Sequence, residues 1–276
     1  MEIIVGKTSG FCFGVKRAVE GVSNDVKRYK KLKCLGDIVH NEVVVNDLKE
    51  KGVIVVNSLD EVQNGEVLAI RAHGIPKYIY DDAKKRNITL IDYTCPKVDV
   101  IHKKIEKADA NGYQVIIIGK KIHPETIGSK GFSDKAIVIE NKDEIDSLPD
   151  FEKVYVIVQT TFSKAKYLEM EELLKNRYSN IICDNTICQS TKTRQDECRE
   201  LAKKVDFMII IGGKESSNTQ KLYEVAKEEN ENSIIIQDEN DKKIEESAKY
   251  DIIGIMSGAS TPDISIQRVI EKLKSF

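Results

Sequence analysis

The chain has 276 residues, 41% apolar and 32% charged, with 43 basic and 45 acidic side chains. That balance is ordinary for a globular protein and argues against a nucleic-acid binder working through a broad basic face. No apolar run approaches the roughly 20 residues of a membrane span, and "MEIIVGKTSG" lacks the basic start and long apolar stretch of a secretory signal, so a cytoplasmic protein with no membrane partner is expected.

In chain order, the first apolar run, "EIIVGKTSGFCFGV", carries Cys12 at its end. Val15, Ala18, Val19, Val22 and Val26 follow at the 3.6-residue spacing of a helix burying one stripe. The run "CLGDIVHNE" ends on His40, "VLAIRAHGIP" on His73, and "ITLIDYTCPKV" on Cys95. A second helical stripe, Val98, Ile101, Ile105 and Ala108, comes next. "VIIIGKKIHPE" then brings His123 and Glu125, "VYVIVQTTFS" Thr160, and "NIICDNTICQST" Cys188. "FMIIIGGKESSN" ends on Ser216, Ser217 and Asn218, and "IIGIMSGASTP" on Ser260. Near-continuous β-branched runs of this kind suit parallel strands covered on both faces, and their alternation with helices implies crossover connections.

The runs fall into three sets of three. The order holds if the N-terminal run completes the last set. Three similar small α/β domains are expected, over residues 13–96, 97–190 and 191–276, the last completed by strand 1–12. Each is a parallel-rich sheet flanked by helices, and the three are arranged with pseudo-threefold symmetry.

Parallel sheets bind ligands beyond the carboxyl ends of their strands, where loops lead into helix N-termini. Cys12, Cys95 and Cys188 hold the same register in the three sets, so a threefold arrangement gathers their sulfurs at one point. Three thiolates leave one position open on a tetrahedral metal, or on one iron of a cubane cluster. There is no C-x-x-C, and a single cysteine by itself is more often a small core residue. Cys34, Cys183 and Cys198 lack the register and are assigned to the core. Gly14, Pro96 and Ser190 or Thr191 are expected to open or cap the helices behind the three tip cysteines.

His40, His73, His123, Ser216, Ser217, Asn218 and Ser260 form a set of donors suited to a phosphate or diphosphate, although capping alone also explains the serines and the asparagine. A carboxyl at Glu125 buried beside such a site would have its neutral form favoured and could deliver protons, while an acid in the first turn of a helix explains the residue equally well. His102, inside a helix, is read as structural or surface. Lys16, Arg17, Lys120, Lys121, Lys192, Arg194 and Lys214 are read as solvated surface.

Taken together, "GFCFGVKRAV", "HNEVVV", "RAHGIP", "TCP", "HPE", "QTT", "NTICQSTKTRQ", "GGKESSNTQKL" and "SGASTPD" resemble the 4-hydroxy-3-methylbut-2-enyl diphosphate reductase family, the iron–sulfur oxidoreductases of the non-mevalonate isoprenoid route. The resemblance implies a [4Fe–4S] cluster on Cys12, Cys95 and Cys188 at the centre of the three domains. It implies that the substrate hydroxyl binds the open iron and that the diphosphate meets His40, His73, His123, Ser216, Ser217, Asn218 and Ser260. Glu125 supplies protons, with Thr160 near the hydroxyl. The products are isopentenyl and dimethylallyl diphosphates, the electrons come from ferredoxin or flavodoxin, and a monomer is expected. A zinc hydrolase or lyase acting on a phosphorylated small molecule, and a non-enzymatic iron–sulfur sensor, are the rival readings.

Overall fold

The computed structural model describes residues 1–29 and 32–276. The chain opens on β1 (Glu2–Val5) and α1 (Phe13–Tyr29). Next come β2 (Leu32–Leu35), α2 (Glu42–Glu50), β3 (Val53–Val56), β4 (Val67–Ile70), α3 (Lys77–Lys85) and β5 (Thr89–Asp92). The middle third holds α4 (Pro96–Ala110), β6 (Gln114–Ile118), α5 (Pro124–Lys130), β7 (Ile137–Ile139), β8 (Val154–Val158), α6 (Lys164–Arg177) and β9 (Ile181–Asp184). The last third holds α7 (Gln189–Ala202), β10 (Phe207–Ile211), α8 (Ser217–Glu229), β11 (Ser233–Ile236), β12 (Ile252–Ser257) and α9 (Asp263–Leu273).

The strands pair in parallel into three four-stranded sheets, ordered β3-β2-β4-β5, β7-β6-β8-β9 and β11-β10-β12-β1. Within each set the order is second, first, third, fourth. The third sheet fits that rule only because β1, from the far end of the chain, fills its fourth place with Glu2 opposite Ile252. The three-set reading of the sequence therefore matches the sheets, with one omission. Strands β3, β7 and β11 lie at sheet edges, are only three or four residues long, and carry none of the chemical residues that marked the others.

Burial follows the pattern of the runs. In β6 and β8 Val115, Ile116, Ile117, Ile118, Val156, Ile157 and Val158 are essentially sealed from solvent, because helices cover both faces. Each such side chain contributes about 1.5–3 kcal/mol by leaving water. Both expected helical stripes are buried, apart from the half-buried Val15.

The chain divides into two compact units, one of Met1–Lys16, Val39–Leu48 and Gln189–Phe276, the other of Arg17–Ile38 and Lys49–Cys188. The first holds the sheet of β1, β10, β11 and β12; the second holds the other two sheets. Among the described residues no helix is long and apolar enough to cross a membrane.

Candidate active site

Six of the twelve expected site residues lie in the two-sheet unit, and backbone bonds tie them together. Beyond β4 the chain turns at Gly74, whose φ of +74° and whose contact with His102 (a Cβ would stand 2.5 Å from Cε1) exclude a side chain. That turn presents His73. The amide of Cys95 donates to the carbonyl of Ala72 at 2.9 Å, so the cysteine after β5 is pinned to the histidine turn. Cys95 is the N-cap of α4 and Pro96 its first residue, as expected. Arg17 donates to the Thr94 carbonyl at 3.1 Å and steadies the same loop.

In the neighbouring sheet His123 caps α5, its Nδ1 accepting the Glu125 amide at 3.2 Å. Glu125 is 3% exposed. Its two carboxyl oxygens accept the amide of Thr160 at 2.7 Å and the hydroxyl of Thr160 at 2.6 Å. Burial raises the Glu125 pKa above the ordinary carboxylate value, and the two Thr160 bonds offset this only in part. The Thr160 carbonyl in turn accepts the amide of Cys188 at 3.0 Å. Thr186 brackets the end of β8, accepting the Val158 amide and donating to the Val158 carbonyl. The rings of His73 and His123 meet edge to face at 5.5 Å. One chain of contacts thus joins Cys95, His73, His123, Glu125, Thr160 and Cys188.

The other six residues lie in the one-sheet unit. The Cys12 amide donates to the Ala259 carbonyl at 3.1 Å, next to Ser260. The Ser260 hydroxyl reaches the His40 carbonyl at 3.3 Å, and the His40 backbone rests against Gly213, where a Cβ would stand 2.5 Å away. Ser216 caps α8 by accepting the Thr219 amide at 3.3 Å. Ser216, Ser217 and Asn218 are all buried, and Asn218 Nδ2 has no hydrogen-bond partner among the described residues. An orphaned buried donor at a helix start with no acid in its first turn has the chemistry of an anion site.

The six cysteines are all free and sort by place in the fold. Cys34 and Cys198 are fully buried, and burial pushes each thiol up to about 12. Half-buried Cys183 is pushed to about 11. These are protonated side chains packed in sheets and helices, as the sequence implied. Cys12, Cys95 and Cys188 sit instead past the strand ends, half-buried. Sulfur beyond a strand end, at Cys95 and Cys188 in the two-sheet unit and at Cys12 in the other, has the soft-donor chemistry of an iron–sulfur or zinc ligand.

The LytB protein family model matches residues 3–274. The chain belongs to the LytB family. It is 42% identical, over its full length and 98% of the relative, to 4-hydroxy-3-methylbut-2-enyl diphosphate reductase of Caldanaerobacter subterraneus subsp. tengcongensis. A solved reductase of Plasmodium falciparum superposes with a TM-score of 0.93 at 30% identity, covering 98% of this chain and 87% of that one. A second solved reductase, described as the terminal enzyme of the non-mevalonate pathway, gives 0.74 at 36% identity with both chains fully covered. The family read from the motifs is therefore correct.

Motif reading misplaced some parts of this LytB chain. Arg194 is not solvated surface: it is 3% exposed and donates to the carbonyls of Gly10 (2.7 Å) and Ser257 (3.2 Å). Ser190 and Thr191 do not cap α7, which already begins at Gln189, and α1 begins at Phe13 ahead of Gly14. Glu197, which the motifs did not mark at all, accepts the amides of Lys7 (2.6 Å) and Thr8 (2.8 Å) and the Thr8 hydroxyl. His102 is wholly interior. It stacks on Phe132 at 4.2 Å, and burial lowers its pKa to about 4, so it is structural and not a surface group.

Proposed function

We propose that the chain reductively dehydroxylates 4-hydroxy-3-methylbut-2-enyl diphosphate to isopentenyl and dimethylallyl diphosphates. In this reading it acts in the cytoplasm as a monomer, with ferredoxin or flavodoxin as donor and with three domains over 13–96, 97–190 and 191–276 plus 1–12. The overall change breaks the C–O bond, forms one C–H bond and releases water, consuming two electrons and two protons. A [4Fe–4S] cluster on Cys12, Cys95 and Cys188 would supply the electrons singly and an open iron as Lewis acid.

The observation that carries the proposal is the Glu125–Thr160 pair. Hydroxide is a poor leaving group and needs a proton as it departs. A carboxyl sealed from water and raised in pKa holds a proton at a pH where an exposed glutamate has lost it. Thr160 bonds that carboxyl through its hydroxyl, which both donates and accepts, and so can pass the proton outward to the substrate oxygen. Ser216, Ser217, Asn218 and Ser260, with the start of α8 and the imidazoles of His40, His73 and His123, would hold the diphosphate.

Anaerobic purification tests the metal assignment. Brown protein with about four irons per chain is expected. Serine at any of positions 12, 95 or 188 is expected to lose most of that iron, while Cys34→Ala keeps it. A colourless zinc protein, or iron that survives Cys188→Ser but not Cys34→Ala, contradicts the proposal.

A further inference from the structure

Arg71 follows β4 directly, two residues before His73, yet its side chain serves a different space. It lines a cleft of about 500 Å3 within the two-sheet unit, with Leu35, Leu59, Ile75 and Ile79 as apolar walls and Asn57 as a polar one. Neither His73 nor Cys95 is part of these walls. The cleft lies beyond the carboxyl ends of β2, β3 and β4. The chain leaves β2 for β3 on one side and leaves β4 for β5 on the other, so the β2–β4 boundary is the switch point where parallel sheets take ligands.

The charges lining this cleft sum to zero, two arginines against two aspartates, but they are unevenly paired. Nε of Arg71 is sealed from solvent with no hydrogen-bond partner, and among the described residues the guanidinium makes no ion pair. Asp37, exposed nearby, favours the charge only through space. The guanidinium rests on bare backbone at Gly36, where a Cβ would stand 2.3 Å from Nη1. The other cation, Arg86, is already paired with Asp60 at 2.6 Å and Asp82 at 2.9 Å. Both aspartates of the lining therefore serve Arg86, and the Arg71 guanidinium lies over an apolar floor with no carboxylate of its own. Such a group is costly to hold in a fold unless a ligand completes it.

We propose that this cleft is a second binding site, for a small organic monoanion. Its carboxylate pairs with the planar fork of Arg71, and its apolar body lies on Leu59, Ile75 and Ile79. The volume is that of a small-molecule site. Asp60 and Asp82 at the cleft disfavour a ligand of higher charge such as a diphosphate. The site goes beyond the reductase reading and stands without it, since it uses none of the residues assigned to the reaction.

The test uses the full chain, with 3-phenylpropionate as probe and 3-phenylpropionamide and inorganic phosphate as controls. The carboxylate is expected to raise the melting temperature and to shift the 15N signal of Arg71 Nε, a readout that needs no variant to fold. The amide and phosphate are expected to do neither. Arg71→Met is expected to bind the carboxylate about tenfold or more weakly. Without ligand it should melt no lower than the parent, because it removes an unpaired charge. Absence of any carboxylate-induced shift overturns the proposal, as does an equal response to the amide or to phosphate. Undiminished binding by Arg71→Met, or a ligand-free Arg71→Met that melts several degrees below the parent, also overturns it, the last because it would make Arg71 a structural residue.

Discussion

Glu125 concentrates the chemistry at the residue scale. Its folded pKa lies above the ordinary 4.5, so its stabilising effect is fully present below that value and is lost as pH rises toward the raised folded value. Glu125→Gln keeps an acceptor for the Thr160 amide and can donate to the Thr160 hydroxyl, while carrying no charge. The melting temperature of the variant relative to the parent is therefore expected to climb between pH 4.5 and neutrality; a flat difference would mean the carboxyl is not desolvated. Turnover should fall by about 10²–10⁴-fold with iron content unchanged. Near-normal turnover removes Glu125 from proton delivery. The position of this residue was legible in sequence because "HPE" closes a strand and opens a helix. Its partner Thr160 was likewise legible only as a position, since the 2.6 Å bond joins residues 35 apart.

At the scale of elements, sequence reading found α7 but missed what its polar residues hold. It begins just after Cys188 and, at positions 194 and 197, grips the loop that carries Cys12. A basic and an acidic residue in a polar helix look like solvated surface in sequence; only the carbonyls of Gly10 and Ser257 and the amides of Lys7 and Thr8 reveal otherwise. The tip cysteines were legible for the opposite reason, since each follows a strand in the same place of a repeat. Burial alone would raise the Glu197 pKa, but the Thr8 hydroxyl and the Thr8 and Lys7 amides outweigh it and hold the carboxylate below its ordinary range. Its contribution is thus present above 4.5 and lost as pH falls through the depressed folded value. Glu197→Ala is expected to cost about 1–2 kcal/mol at neutral pH, discounted for its partial exposure, with the gap closing below pH 4.5 in thermal melts. A gap independent of pH would show that the clasp is not electrostatic.

For the whole molecule, the borrowed strand is the feature with the widest reach. The order second, first, third, fourth recurs in all three sheets, and in one of them the fourth strand is β1. Its recurrence could be read from motif order, whereas the edge strands β3, β7 and β11 could not, being short runs without chemistry. Deleting Met1–Val5 turns β12 into a sheet edge. Hydrogen exchange at β12 amides is expected to quicken by about tenfold or more, with β2–β9 keeping their protection. Uniform acceleration across the chain would contradict that independence. The central claim is tested most directly by incubating anaerobically reconstituted protein with a reduced one-electron donor and 4-hydroxy-3-methylbut-2-enyl diphosphate, and identifying the products. Isopentenyl and dimethylallyl diphosphates, formed with two electrons consumed per molecule, are expected. Unchanged substrate in the presence of a full complement of iron, or release of phosphate without reduction, would contradict it.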